Sequence, residues 1–156
     1  MKRILPILLL GSCLLTACHN DEKEIRKVAY GYIYAISNYQ PTEARPYATP
    51  ETCDTTLAFM ELLVAHTDPA VYADNIPATV EIHTVTINDT TAVASYVKHA
   101  PAKTHEGFVH LVKQSGHWRV HEIVQKPPVM GLLDTKPRTL TKEQRARMKK
   151  VEIKKD

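Results

Sequence analysis

The chain has 156 residues, a length that suits one domain with a single core. Its net charge of +3 hides an asymmetry, because residues 19–133 hold nine Lys and Arg against thirteen Asp and Glu (net −4), whereas residues 134–156 hold nine against four (net +5). Outside the N-terminal segment Cys53 is the one cysteine, which excludes an intramolecular disulfide and leaves the core to stabilise the fold.

The first eighteen residues have the composition of a secretion signal. Lys2 and Arg3 precede an apolar run over residues 4–15, which is too short to span a bilayer. The run ends in Leu-Thr-Ala before Cys18, a sequence that resembles the lipobox of bacterial lipoprotein signals. The resemblance implies cleavage before Cys18, acylation of Cys18 with groups such as palmitate, and membrane attachment in the bacterial cell envelope. We expect the protein to be attached to the outer membrane, on either its periplasmic or its surface side. We expect no nucleic-acid partner.

Three helices are predicted after a polar tether at residues 19–24. Apolar spacings of three and four predict the first helix, which should end near Tyr39 because Pro41 disfavours helical geometry before it. A short second helix is expected over residues 41–48, interrupted at Pro46. The buried stripe of the first helix is predicted to comprise Ile25, Val28, Ala29, Tyr32, Ile33 and Ile36.

Thr49 is placed to cap a third helix that begins at Pro50 and ends near His66. Residues 67–78, with two prolines and two aspartates, are predicted to be a connecting loop. The stripe of the third helix is predicted to comprise Cys53, Leu57, Met60 and Val64, broadened by Phe59 and Leu63.

The apolar period changes to two after residue 79, which predicts strands over residues 80–87, 92–99, 107–113 and 118–124. Turn residues at 88–91 and 115–116 predict hairpins. Direct hairpins pair Lys113 with Trp118 and Glu81 with Lys98. They place on the core face His83, Val85, Ile87, Ala94, Tyr96, Val109, Leu111, Trp118 and Val120. They place on the outer face Val80, Ile82, Thr84, Val93, Val97, Phe108, His110, Val112, His121 and Ile123.

The domain is predicted to span residues 19–126, followed by a basic linker and tail at residues 127–156. Thr141 and Gln144 have capping-box spacing, which indicates a helix over residues 141–155. That segment lacks a convincing apolar stripe, so disorder is an equal alternative.

The order of elements resembles the nuclear transport factor 2-like superfamily. It runs helix, short helix, helix and antiparallel meander, closing on the Gly116–Val120 strand, and the segment Ala44–Thr52 lies between the helices. The nearest resemblance is to small uncharacterised bacterial lipoproteins with such a domain. It implies an α+β cone, with about three N-terminal helices packed on a curved four-stranded antiparallel sheet. The superfamily holds enzymes and binding modules, so the fold leaves function open.

The predicted interior offers His83 and Tyr96 as the best polar pair, with Tyr32 and Trp118 as further candidates for a ligand pocket. We expect a non-catalytic domain that binds a small apolar ligand or a protein partner. The first alternative is an isomerase- or dehydratase-type enzyme that uses the cone cavity. Glu81 and Glu122 are polar residues of the inward face, but neither is placed convincingly as a base. The second alternative is a scaffold.

That scaffold would form a homodimer, or bind a partner, through the partly apolar outer face of the sheet. His110 and His121 are predicted cross-strand neighbours and weak candidates for a metal site, but no third ligand is apparent. No cofactor is predicted. Cys53 is interpreted as a buried helix residue.

Overall fold

The computed structural model describes residues 12–123 and 140–153. The predicted signal segment up to residue 11, and the linker from residue 127 to 139, lie outside the described residues. Within the described ranges, helices pack on one face of a four-stranded antiparallel sheet, which confirms the predicted α+β class. None of the helices in those ranges combines the length and the apolar character needed to cross a membrane.

Helix α1 (Ser12–Ser37) crosses the sheet and buries the predicted stripe except Ile36, which is partly buried. It begins earlier than expected, because it continues through Cys18 and the predicted tether. Ion pairs hold this part of the helix, since Arg26 pairs with Glu22 one turn earlier and Asp21 pairs with Lys113 of the sheet, each at 2.8 Å. The helix ends before Tyr39, whose positive φ of 57° is incompatible with a further helical turn.

Helix α2 (Pro41–Ala44) continues as a 3₁₀ turn (Arg45–Tyr47), as predicted for a short helix interrupted at Pro46. The Tyr47 ring lies against Gly31 of α1, where an added Cβ would be 2.4 Å from the ring. A larger residue at position 31 would therefore displace Tyr47, so Gly31 allows α1 and the 3₁₀ turn to approach closely.

The third predicted helix is continuous but not uniform. It comprises α3 (Pro50–Thr52), a π-helical turn (Cys53–Leu57) and α4 (Ala58–His66), with Thr49 accepting the N-cap hydrogen bond from the Thr52 backbone as predicted. The predicted apolar stripe is wrong in part. Of its residues only Leu57 is buried, while Thr52 and Thr56 occupy the rest of the buried face. The π turn inserts a residue and rotates the face that follows it.

The predicted loop after α4 contains helix α5 (Pro69–Tyr72) and a second 3₁₀ turn (Ala73–Asn75). Asp68 caps α5 by accepting a hydrogen bond from the Ala70 backbone at 2.9 Å. The Asn38 side chain, at the end of α1, donates to and accepts from the Ala78 backbone. This pair closes the segment against α1 where the sheet begins.

The sheet contains β1 (Thr79–Asn88), β2 (Thr91–His99), β3 (Thr104–Gln114) and β4 (His117–Val120) in sequential order. The predicted pairing of Lys113 with Trp118 is confirmed. The core face of the sheet packs on α1, and the side chains at the centre of that face are nearly inaccessible to solvent. They are Ala92, Ala94, Val109, Leu111, Trp118 and Val120.

A β-bulge between Ile82 and Val85 changes the first half of β1. Ile82 pairs with Tyr96, and Val85 pairs with Ala94, so two residues of β1 oppose Ser95 alone. Every residue before the bulge is thereby turned to the opposite face. Val80 and Ile82 point into the core instead of outward, and the predicted Glu81–Lys98 pair is wrong because Glu81 pairs with Val97.

Arg26 of α1 holds the bulge in place. Its guanidinium donates to the carbonyl oxygens of Ile82 and His83, at 3.1 and 3.2 Å. On the other side, the Thr84 backbone donates to the Ser95 hydroxyl at 3.1 Å. Three backbone groups at the bulge therefore have side-chain partners.

Helix α6 (Lys142–Ile153) lies in the tail, for which a helix is one of the two predicted alternatives. The capping box is formed, with the Thr141 backbone donating to the Gln144 side chain at 2.9 Å and the Gln144 backbone donating to Thr141 at 3.2 Å. The Gln144 amide also donates to Asp74, at 3.0 Å. This contact places α6 beside the second 3₁₀ turn.

Candidate functional site

The inward face of the sheet becomes polar along β2 and β3. Ala92 and Ala94 are followed on this face by Tyr96, which pairs with Gly107. A Cβ at Gly107 would lie 2.6 Å from the Tyr96 hydroxyl oxygen. The Tyr96 phenol therefore lies across Gly107, in space that any other residue at position 107 would fill.

Tyr32 of α1 faces this part of the sheet. Its side chain is 0% exposed, and its hydroxyl has no hydrogen-bond partner among the described residues. A buried hydroxyl without a partner costs about 1–3 kcal/mol. Phenylalanine would fill the same space at no such cost, so the hydroxyl of Tyr32 is not explained by packing.

Glu122 is positioned by threonines of the third predicted helix. The Thr52 hydroxyl accepts from the Glu122 backbone N–H at 2.9 Å, and the Thr56 hydroxyl donates to the Glu122 carbonyl oxygen at 2.6 Å. Thr49 adds a backbone hydrogen bond to Val120 at 2.9 Å. These contacts tie the chain after β4 to the helix. Glu122 thereby continues the inward alternation of Trp118 and Val120.

The Glu122 carboxyl, Tyr32 and Tyr96 form an electrostatically coupled group, which we call the interior polar group. Burial raises the pKa of the Glu122 carboxyl, and the backbone N–H and imidazole of His110 offset part of that rise. Burial also raises the pKa of the Tyr32 phenol, and the Glu122 carboxylate raises it further. The same two causes raise the pKa of Tyr96. Both phenols therefore stay protonated as hydrogen-bond donors near a carboxyl that resists ionisation.

Cys53 lies near the interior polar group without belonging to it. Its thiol donates to the Arg45 carbonyl oxygen at 3.6 Å, and burial raises the pKa of that thiol. A thiol that resists ionisation is a poor nucleophile. This agrees with its interpretation as a structural helix residue.

The raised pKa of Glu122 predicts how the free energy of unfolding changes with pH. Because its pKa is higher in the folded chain, the unfolded chain binds fewer protons than the folded chain above about pH 4. Stability is therefore lost as the pH rises from there through the raised pKa. We expect Glu122→Gln to be more stable than the natural chain at pH 7, and the gain to vanish toward pH 4, in urea denaturation followed by circular dichroism. The exposed Glu106, changed to Gln, is the control. A Glu122→Gln variant less stable than the natural chain at pH 7 would contradict the raised pKa.

Of the predicted pocket residues, Tyr32 and Tyr96 are electrostatically coupled in the interior, whereas His83 and Tyr96 line a separate cavity of about 200 Å³ beside Phe108. The expected pairing of His83 with Tyr96 is wrong, because the bulge turns His83 to the outer face, where its side chain is 52% exposed. There its Nε2 lies 3.7 Å from Glu81. Trp118 is fully buried, with Lys113 above its ring. Glu122 lies on the expected inward face. The sequence around it does not indicate that distant threonines would hold it there.

The weak metal candidates are linked through the backbone, since the His121 N–H donates to the His110 carbonyl oxygen at 2.9 Å. The His121 ring turns toward helix α3, with its Nδ1 3.2 Å from the Thr49 hydroxyl and 3.5 Å from Glu51. Residues 12–123 and 140–153 contain no group of three or more His, Cys, Asp or Glu arranged to hold a metal ion. On the outer face, Phe108 is 68% exposed, and partner binding there stays a prediction.

No family model matches the chain, and no curated protein matches it. The solved structures that are similar to it include the following two. A nuclear transport factor 2-like protein of unknown function from Shewanella baltica is 16% identical, with a TM-score of 0.47 over 65% of this chain and 89% of that one. A protein from Campylobacter jejuni with the provisional description of a nuclear transport factor 2-like transpeptidase is 16% identical, with a TM-score of 0.46 over 60% and 94%. Both structures are described as nuclear transport factor 2-like, the superfamily that the sequence resembles.

Proposed function

We propose that this domain binds a small, mainly apolar ligand between α1 and the sheet, with a hydrogen-bond acceptor of the ligand on Tyr32. The observation that supports the proposal is the Tyr32 hydroxyl, which is fully buried and has no partner among the described residues. An acceptor on the ligand would satisfy this donor. The surrounding apolar side chains of the sheet would contact the rest of the ligand.

Tyr96 is the side chain whose movement would admit such a ligand. It is half-buried, it packs on the edge of the core, and its phenol lies across the space left by Gly107. Rotation of the Tyr96 ring away from Gly107 would open room beside Tyr32 and Glu122. The ligand would then replace the Tyr96 phenol rather than fill an existing void.

Cyclohexanone is a suitable probe, because it combines an apolar ring with one acceptor. We expect it to shift the amide resonances of Ala94 and Val109 in nuclear magnetic resonance spectra of the full chain. Tyr32→Phe should weaken binding about 2- to 10-fold, the net value of one hydrogen bond. Tyr30→Phe is the matched control, since Tyr30 lies on the same helix and is 45% exposed. Equal affinity in the Tyr32→Phe and Tyr30→Phe variants would refute the role of Tyr32.

The second candidate function is proton transfer, favoured by the raised pKa of Glu122 beside two protonated phenols. Ionised Glu122 would take a proton from the carbon next to a carbonyl group. The electron pair of that C–H bond would form a carbon–carbon double bond, and the π pair of the carbonyl bond would move to the oxygen, which Tyr32 would stabilise by hydrogen bonding. Return of a proton from Glu122 to carbon would complete an isomerisation or exchange.

The same probe tests this chemistry in deuterated water. If the candidate is correct, the chain speeds deuterium exchange at the carbons beside the cyclohexanone carbonyl. Glu122→Gln should then slow the exchange about 100-fold or more, while Glu106→Gln leaves it unchanged. Exchange no faster than in buffer alone would leave ligand binding as the function.

We further propose that the chain is a lipoprotein anchored through Cys18 to the envelope of a bacterial cell, at the outer membrane. The charge pattern and the Leu-Thr-Ala sequence before Cys18 support this proposal. Mass spectrometry of the membrane-associated protein should show Cys18 as an acylated N-terminus. Cys18→Ser should abolish acylation, and Cys13→Ser should leave it intact. Acylation that persists in the Cys18→Ser variant would refute the anchor.

A further inference from the structure

A cationic cavity lies at the edge of the inward sheet face. Its volume is about 250 Å³, and it opens between the second 3₁₀ turn and the β2–β3 connection. The lining residues are Asn75, Lys98, Ala100, Lys103 and His105. Two lysines, one imidazole and one amide thus line the cavity, and no carboxylate does.

The fold fixes the backbone of the residues that carry these donors, of which Lys103 and His105 are exposed. Lys98 and His105 are a directly paired couple of β2 and β3. The β2–β3 connection is closed by two backbone hydrogen bonds between Ala100 and Lys103, at 3.0 and 3.2 Å, which keep Lys103 at the cavity. Tyr72, directly before the 3₁₀ turn, stacks on Tyr39 with ring centroids 4.5 Å apart, so the turn is tied to the end of α1.

The two lysines have no acidic partner in the part of the chain that the structure describes. By contrast, Lys113 pairs with Asp21 at 2.8 Å and Arg45 pairs with Glu61 at 2.7 Å. The acidic residues nearest in sequence are directed elsewhere. Asp74 accepts a hydrogen bond from Gln144 of α6, and Glu106 pairs with Val97 on the outer-facing register of the sheet. The positive charge of the cavity is therefore not neutralised by neighbouring residues.

The cavity is adjacent to the interior polar group. Lys98 and His105 are each two residues along their strands from Tyr96 and Gly107, on the same face, which corresponds to about 7 Å. A small organic molecule with a chain of several carbon atoms would span this distance. One end would lie beside Tyr96, and the other among the lysines.

We propose that Lys98, Lys103 and His105 bind the anionic group, a carboxylate or a phosphate, of an organic ligand whose apolar body extends toward Tyr96. This inference rests on the proposed function for the position of the apolar body. The cationic end stands on its own geometry. The ligand is thereby a small amphipathic anion rather than a neutral apolar compound.

Binding of hexanoate, hexyl phosphate, inorganic phosphate and hexanol to the full chain tests the proposal by calorimetry. We expect both amphipathic anions to bind at least about 10-fold tighter than hexanol, as charge-assisted hydrogen bonds imply. The tighter of the two identifies the head group as carboxylate or phosphate. In Lys98→Met/Lys103→Met, which keeps apolar side-chain stems, anion affinity should fall about 10-fold or more and hexanol affinity should not change.

Lys23→Met/Lys27→Met is the matched control, because both lysines are exposed on α1. Anion affinity unchanged in the Lys98→Met/Lys103→Met chain, or hexanoate no tighter than hexanol, would overturn the proposal. Adding Tyr32→Phe separates it from the proposed function. Anion binding that needs the lysines but is insensitive to Tyr32→Phe would support the cationic cavity and refute the interior ligand.

Discussion

Trp118→Ala is expected to lower the free energy of unfolding by about 3–5 kcal/mol, the range for large-to-small changes at fully buried aromatic residues. Trp118 is fully buried in β4, at the centre of the contact between the sheet and α1. The change would also remove the ring below the Lys113 ammonium, which lies 5.6 Å from its centroid. The Lys113 ammonium and, to a smaller extent, the indole hold the pKa of Asp21 low, so the Asp21–Lys113 pair would lose support as well.

Urea denaturation of the full chain, followed by far-ultraviolet circular dichroism, measures this effect without using tryptophan fluorescence. Phe108→Ala is the matched control, because Phe108 is an aromatic residue on the opposite face of the same sheet. Its loss should cost less than about 0.5 kcal/mol in a monomer. A similar loss at both positions would show that Trp118 is not the centre of the core.

Thr52→Val/Thr56→Val is expected to lower the free energy of unfolding by about 2–6 kcal/mol, since each change leaves a backbone group of Glu122 without its partner. The Glu122 N–H loses the Thr52 hydroxyl at 2.9 Å, and the Glu122 carbonyl oxygen loses the Thr56 hydroxyl at 2.6 Å. Valine keeps the shape and the branching of threonine. The effect therefore reports the hydrogen bonds rather than a cavity.

Thr55→Val provides the control on the same helical segment. Its hydroxyl is exposed and donates to the Glu51 carbonyl oxygen at 2.6 Å within the helix, so its loss should change stability by less than about 0.5 kcal/mol. Comparable losses in the Thr55→Val chain and the double variant would contradict the role of the two buried threonines. The double variant should also weaken any function of Glu122, because the residue would no longer be held inward.

The helix ends illustrate what could be read from local sequence. The N-cap at Thr49 and the capping box of Thr141 and Gln144 form as expected. Each depends on residues within one helical turn of each other, and their side chains satisfy backbone groups next to them. The pairing of Lys113 with Trp118 likewise follows from a tight turn between adjacent residues.

The candidate site could be predicted only in part. Tyr32 and Tyr96 follow from helical and strand periodicity, and both lie inward. The predicted position of His83 is wrong because the bulge in β1 depends on Arg26, a residue more than fifty positions away in the chain. The inward position of Glu122 could not be established from the sequence, because Thr52 and Thr56, which hold it, are also more than fifty positions away in the chain.

The sequence by itself determined the α+β class, the order of the three predicted N-terminal helices and the four strands, and the hairpins, because periodicity, caps and turns act between near neighbours. Only the tertiary structure decided which face His83 occupies, that the third predicted helix contains a π turn, and that Tyr32, Tyr96 and Glu122 meet. The bulge and the position of Glu122 involve backbone groups bound by side chains of distant elements, Arg26 in one case and Thr52 and Thr56 in the other. Their partners are brought together by packing, and a pattern read along one strand or helix does not contain them.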